Sequence, residues 1–303
     1  MTYPAAAARD YRVVQRMKLL TMRATRRAWS GMGEDFDASW RTVAPQLVSV
    51  VTAAQLAAAT QGAQAVAAVV DELDVGAPEQ ARIVPRRFAG VAADGRTLDG
   101  LLEGAVTHSR IAVAAGAPSA DAALAVGGRW LDALVQTAVT DAHRGALAAG
   151  VVARDRLGWV RMVNPPCCGR CAVLAGRWYR WSDGFQRHLR CDCQHVVAPE
   201  SIAGRLTVNP QTLHEQGLVQ GLTRRERARL EQGADLTTVV NESRAMWLAR
   251  TQDQRSRRGS TRRAGNAPAP RPSLDGLLGA LREDVASRQE GRARLAAAGF
   301  LAA

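Results

Sequence analysis

The densest chemistry in the chain is Cys168-Gly-Arg-Cys171, followed by His188-Leu-Arg-Cys191-Asp-Cys193. Two thiolates separated by two residues on a tight turn can share one Zn²⁺, and further Cys or His donors carried up by a hairpin complete a tetrahedron. The candidate ligands are Cys168, Cys171, His188, Cys191 and Cys193. A tetrahedral structural site takes four of them, which leaves one in excess. Cys167 and His195 rank lower, because residues adjacent to a ligand usually point away from it. Two other readings compete: free thiols packed as small apolar side chains, and a local disulfide such as Cys168 with Cys171. Metal is favoured over both because every cysteine of this 303-residue chain, with two of its histidines, falls between Cys167 and His195. A catalytic zinc would keep an open position and need a general base nearby. Asp183 and Asp192 are the only acids between Cys168 and Cys193, so the expectation is a structural zinc and no enzymatic activity.

Other catalytic signatures are missing from the sequence. It has no phosphate-binding Gly-x-x-x-x-Gly-Lys-Ser/Thr, no Gly-x-Ser-x-Gly and no His-Glu-x-x-His; His214-Glu215 lacks the second His. Nothing singles out one cysteine as a nucleophile. His108 and His143 lie in helical stretches and read as surface or core residues rather than ligands. Five clustered cysteines, an odd number, exclude a disulfide framework holding the whole chain together.

The elements that must carry this block are mainly helical. From Tyr11 to about Val152 the chain is Ala-rich, with apolar steps of three and four at Leu19, Leu20 and Met22, then Val43, Leu47, Val50, Val51 and Ala54. Breaks fall at Gly31-Met32-Gly33, Gly76-Ala77-Pro78 and Ala93-Asp94-Gly95-Arg96. Ser119 is placed to cap a helix carrying Leu124, Leu131, Leu134, Val135, Ala138, Val139 and Ala142, with its end between Gly145 and Gly150. Between Asp155 and Glu200 the character changes: Gly158–Val163 and Arg177–Trp181 have the aromatic and β-branched make-up of short strands. Helical patterning returns from Ser201, with Thr223 as an N-cap and Gly233-Ala-Asp235 as a turn before a helix from Leu236 to Trp247.

The expected fold is therefore mainly α (α+β). A helical N-terminal domain (1–154) precedes a small zinc-stabilised β-containing module (155–200) and a helical segment (201–250). A basic Pro/Ser-rich linker (251–273) and a terminal amphipathic helix (274–303) with Leu277, Leu278, Leu281 and Val285 follow. No stretch approaches 18 uninterrupted apolar residues, so no membrane span is expected. The opening residues lack the order of a signal peptide, which suggests an intracellular, soluble chain.

Forty Lys and Arg against 28 Asp and Glu give a net charge of +12, and Lys18 is the only lysine. Such an excess suggests a polyanionic neighbour. The arm carrying Arg250, Arg255, Arg257, Arg258, Arg262 and Arg263 is the candidate for salt-sensitive, sequence-independent binding to double-stranded DNA, and a plain solvated linker is its alternative. Arg224, Arg225, Arg227 and Arg229, interrupted by Glu226, read as a solvated helix face.

Several segments resemble the MuF-like minor head proteins of actinobacterial tailed phages and prophages. They are Phe88-Ala-Gly90 with Ala93-Asp-Gly-Arg-Thr-Leu98, Val160-Arg-Met-Val163, Cys168-x-x-Cys171-Ala-Val-Leu-Ala-Gly176, Phe185-Gln-Arg-His188-x-x-Cys191-Asp-Cys193 and Gly233-Ala-Asp-Leu-x-x-Val-Val-Asn241. The resemblance covers about residues 30–265. Past Asn241 the family pattern runs Ala-Arg-Arg-Gly-Met, whereas this chain has Glu242-Ser-Arg-Ala-Met246. The resemblance implies a few copies inside the head near the portal vertex, acting in head assembly, DNA packaging or ejection. It implies portal and capsid or scaffold proteins as partners, and localisation in the virion and, during assembly, the host cytoplasm. The alternatives are a cellular zinc-containing DNA-binding protein and a capsid maturation protease, the latter supported by no motif.

Overall fold

The computed structural model describes residues 3–185, 188, 190–206, 208–257, 274–283 and 287–302. The chain is mainly helical. Its frame is three long helices, α1 (Ala5–Trp29), α2 (Phe36–Glu72) and, further along, α5 (Ala120–Val152), each packed on the other two. Between α2 and α5 come the short strand β1 (Arg82–Ile83) and the helices α3 (Leu98–Leu102) and α4 (Gly104–Ala114).

Side chains fix where these helices start. Asp35 accepts the Ala38 N–H, Thr97 that of Gly100 and Ser119 that of Ala122, so each first turn has a partner for one of its free donors. The N–H groups of Ala5 and Ala6 instead donate to the distant Glu72 carboxylate, both at 2.6 Å. The end of α5 lies beyond the Gly145–Gly150 window, at Val152, because tertiary packing covers its final turns on all sides. Leu19 and Leu20, expected on the buried stripe of α1, are instead exposed, at 52% and 53%.

Small residues set the spacing of the long helices. Gly62 of α2 faces the backbone of α5 so closely that a Cβ there would lie 2.7 Å from the His143 carbonyl oxygen. Beside it, His143 is buried with its Nε2 2.9 Å from a carboxylate oxygen of Asp10, which also accepts from Gln61 Nε2 at 3.0 Å. One polar contact thus ties α1, α2 and α5 together inside their apolar seam.

After α5 come β2 (Leu157–Met162), β3 (Cys167–Cys168), α6 (Gly169–Leu174), β4 (Trp178–Tyr179) and β5 (Gln194–Pro199). The order in the main sheet is β4-β2-β5, all antiparallel, with Trp159 opposite Tyr179 on one side and Val197 on the other. All six residues of β2 are buried. A helical layer follows: α7 (Glu200–Ala203), α8 (Pro210–Glu215), strand β6 (Val219–Gln220) parallel to β3, α9 (Arg224–Glu231) and α10 (Leu236–Arg257). Helix α10 continues past Trp247 into the segment expected as linker. Residues 258–273 lie outside the described residues.

The boundary expected at 154/155 is not a boundary in the core. One apolar cluster joins Ala6, Val66, Val69, Leu147 and Val151 of the long helices to Leu157, Trp159, Val196 and Val197 of the sheet, and to Leu236 and Val240 of α10. The sheet is therefore a layer of the same body. The terminal segment also differs from a single helix. It forms α11 (Leu274–Glu283), α12 (Arg288–Ala297) and β7 (Leu301–Ala302), and β7 pairs antiparallel with β1. Leu274, Leu278, Leu281, Leu295 and Phe300 pack with Phe88 and the alanines of α5, so this segment docks on the main body. Helix α2 is long and apolar enough to cross a membrane by length and composition; here its apolar residues Leu47, Val51, Ala58 and Val66 are fully buried between α1 and α5.

The tight α2–α5 contact gives a test with a definite sign. Helix propensity alone would make Gly62→Ala stabilising by about 1 kcal/mol. The clash with a backbone oxygen costs about 1–3 kcal/mol, so thermal denaturation should show a lower Tm for Gly62→Ala; a raised Tm would contradict the packing described.

Candidate metal centre

The Cys168-Gly-Arg-Cys171 segment is a turn entering α6. Cys168 is the N-cap, and its Sγ accepts the Cys171 N–H at 3.4 Å. Behind it, α6 is braced by α10: Gly169 sits against Leu222 and Val240, and Arg170 donates to Asn241 Oδ1 at 3.0 Å. The Gly233–Asn241 stretch is therefore the structural support of the first cysteine pair, which gives a physical reason for the two segments to occur together.

The donor atoms converge as two overlapping groups, Cys168, Cys171 and His188, and Cys171, Cys191 and Cys193, each with its donors within 4.8 Å of one another. Cys171 belongs to both. Its Sγ lies 3.8 Å from Cys191 Sγ and 3.5 Å from His188 Nε2, and Cys168 Sγ lies 3.2 Å from the same nitrogen. A tetrahedral zinc with Zn–S of about 2.3 Å and Zn–N of about 2.05 Å would space two sulfurs about 3.8 Å apart and a sulfur and nitrogen about 3.5 Å apart. Both Cys171 distances match the edges of that tetrahedron. The cysteines are free thiols, and the disulfide reading has no bond to support it.

Hydrogen bonding to Cys171 and His188 pulls the Cys168 thiol down to about 4, against the opposing effect of burial. Cys191 is likewise lowered, by hydrogen bonds from Cys171 and Cys193. Burial instead pushes Cys167 up to about 11. Cys167, ranked lower than the five candidate ligands, lies in β3, outside both donor groups. His195 is also outside them: it is buried in the sheet against Trp159 and Phe185, ring centroids 4.3 and 4.5 Å away. His108 stacks on Trp130 at 3.8 Å.

The Cys191-Asp192-Cys193 turn is irregular backbone held from two sides. From α5, Arg144 Nε donates to the Cys193 carbonyl at 2.7 Å and Nη2 to the Cys191 carbonyl at 2.7 Å. From α1, Tyr11, Gln15 and Lys18 all donate to the Asp192 carboxylate, Gln15 and Lys18 at 2.5 Å. Upstream, the guanidinium groups of Arg161 and Arg144 lie over the ring of Phe185, 4.0 and 4.8 Å from its centroid. Arg190, between His188 and Cys191, has φ +63°, a left-handed conformation that costs a non-glycine residue about 1 kcal/mol. Its N–H donates to Thr137 Oγ1 at 3.2 Å and so ties that strained residue to α5.

None of Tyr11, Gln15, Lys18 and Arg144 was singled out by motif. Lys18 did carry a signal: a lone lysine four residues from Val14 and from Met22, on the buried face of an amphipathic helix, needs a carboxylate partner. Arg144 carried a signal only for Asp141, three residues before it; the carbonyls of the turn, its other acceptors, are not distinguished by sequence. Of the arm arginines, Arg250, Arg255 and Arg257 lie along α10, but their side chains, with all of Arg258, Arg262 and Arg263, lie outside the described residues.

Replacing Arg144 with Lys retains the charge but not the fork, leaving at least one buried carbonyl without a donor. Arg144→Lys should lower stability by about 1–3 kcal/mol in chemical denaturation; an unchanged midpoint would mean that the turn does not depend on this contact.

Comparison with known proteins finds no match for the chain: no family model matches it, and no curated protein and no solved structure does either.

Proposed function

We propose that the chain is a zinc-stapled structural protein that works by binding rather than catalysis, and that it serves as a MuF-like minor head protein inside a phage head, near the portal vertex. The observation that carries the first part is the donor set itself. Five sulfur and imidazole donors from two chain segments gather in two groups that share Cys171, whose distances to Cys191 and His188 are tetrahedral edge lengths, and both groups consist of Cys and His alone. Thiolate-rich sets of this kind are structural zinc sites, where four protein ligands close the coordination sphere. Cys171 belongs to both donor groups and is the ligand they share. The metal joins the α6 turn to the Cys191–Cys193 turn, and both turns are already fastened to the helical frame.

The second part rests on the family resemblance of the motif segments and on a net charge of +12, which suits a protein that shares a shell with packaged DNA. Portal and capsid or scaffold proteins would be its partners. A cellular zinc-containing DNA-binding protein would share the metal centre and the charge, and differs in where the protein is found.

Freshly purified, reduced protein should contain about one zinc per chain, and Cys171→Ser should lose it with a fall in Tm. Because the sheet packs on α1, α2 and α5, EDTA treatment should leave most of the helical circular dichroism in place. Metal analysis that finds no zinc would remove the metal reading. The head assignment is checked separately by mass spectrometry of purified particles from the source phage or induced prophage. The chain should be present at a few copies beside the portal protein, and its absence from intact particles would overturn that assignment.

A further inference from the structure

Helix α1 carries seven Lys and Arg against one acid, Asp10, and so holds six of the chain's twelve excess positive charges. Two of the cations are used internally. Lys18 is buried on Asp192, and Arg26 pairs with Asp132. The other five, Arg9, Arg12, Arg16, Arg23 and Arg27, are exposed, and none has an ion pair among the described residues. At 100° per residue they fall within an arc of about 60°, and at 1.5 Å per residue they span about 27 Å. They form one straight ridge along the outer side of the bundle. Asp10 faces inward onto His143, so no carboxylate of α1 interrupts the ridge.

We propose that this ridge is a docking surface for the phosphate backbone of double-stranded DNA, bound without regard to sequence. Charge complementarity supports this occupant. The arginines are spaced by three, four, seven and four residues, an irregular series. A carboxylate-bearing protein surface would have to match it charge for charge, whereas a duplex, with a negative charge about every 1.7 Å of axis, offers a phosphate to each arginine in any register. The helix is fastened along its length to α2 and α5 and cannot sink into a major groove about 12 Å wide, so the guanidinium groups reach phosphates rather than base edges. Leu19 and Leu20 flank the ridge and take no part in this contact. The surface is distinct from the arm of Arg250 to Arg263, and it does not depend on the protein's residing in a virion.

The test uses the full-length protein and a random-sequence 30-base-pair duplex, with binding followed by fluorescence anisotropy over a range of salt. Five phosphate contacts correspond to a slope of log K against log salt of about −4.5. The triple variant Arg12→Gln, Arg16→Gln and Arg23→Gln should bind at least tenfold more weakly and reduce that slope by about 3. Its Tm should be unchanged, since all three side chains are exposed, while Leu19→Ser with Leu20→Ser should bind DNA as the parent does. An undiminished affinity and slope in the triple variant would assign DNA binding to the other arm and overturn the proposal. So would an absence of DNA binding in the parent, or binding to anionic vesicles that requires Leu19 and Leu20 in place of binding to DNA.

Discussion

The arrangement of the candidate metal centre depends on one buried guanidinium. Arg144 sits in the last third of α5 and is 4% exposed, where an unpaired charge would be prohibitive. Its fork is filled by the carbonyls of Cys191 and Cys193 and by Asp141, and its plane lies over Phe185. These contacts satisfy both sides. The arginine gains charge-assisted hydrogen bonds, and a backbone turn with no sheet or helix of its own gains donors for carbonyls that would otherwise be buried without partners. Asp192, between those two carbonyls, points the other way, to α1. The two donor cysteines of this turn are thus presented at fixed positions by contacts that involve no metal.

This changes what a zinc ion would do here. In small zinc modules the ion supplies the free energy of folding, because the element cannot bury enough apolar surface alone. In this chain the strand β2 is buried along its whole length in a core that also takes in residues of α1, α2, α5 and α10, and Trp159 stacks on Tyr179 at 4.1 Å inside the same core. The ion would fasten a local junction between the α6 turn and the Cys191–Cys193 turn. The frame would not be built on it.

Much of the fold is legible in the sequence, because its signals are local. The caps at Ser119 and Thr223, the turn at Gly233–Asp235 and the strands at Gly158–Val163 and Arg177–Trp181 are read from neighbouring residues, and the structure has helices and strands there. The cysteine cluster is legible for the same reason, since metal-ligand spacing is a short-range pattern. What escapes is set by contacts between distant segments. The extension of α5 to Val152 depends on cover from α12 and the sheet. The exposure of Leu19 and Leu20 depends on which side of α1 meets the bundle. The separate zinc module disappears as a unit because its apolar residues face helices more than eighty positions away, such as Val66 and Val69.

Composition also misleads about arginine. Thirty-nine arginines beside one lysine look like a bias of coding, and a charge of +12 looks like a property of the surface. Several of these side chains are structural. Arg144 serves the Cys191–Cys193 turn, and Arg161 is 1% exposed within β2. Arg288 of α12 donates to the carbonyls of Val151, Arg154 and Leu157, each at 2.5 Å, which ties the end of α5 to the start of β2 in one contact. Burial lowers the Arg288 guanidinium to about 10, which still leaves it charged at neutral pH. A lysine has three donors on one nitrogen and cannot span three carbonyls in this way. The arginine content therefore divides by position: single guanidinium groups buried at the junctions of chain segments hold the backbone, and those aligned on α1 make a continuous charged surface. Net charge alone cannot separate these two uses; the phase of each arginine on its helix or strand can.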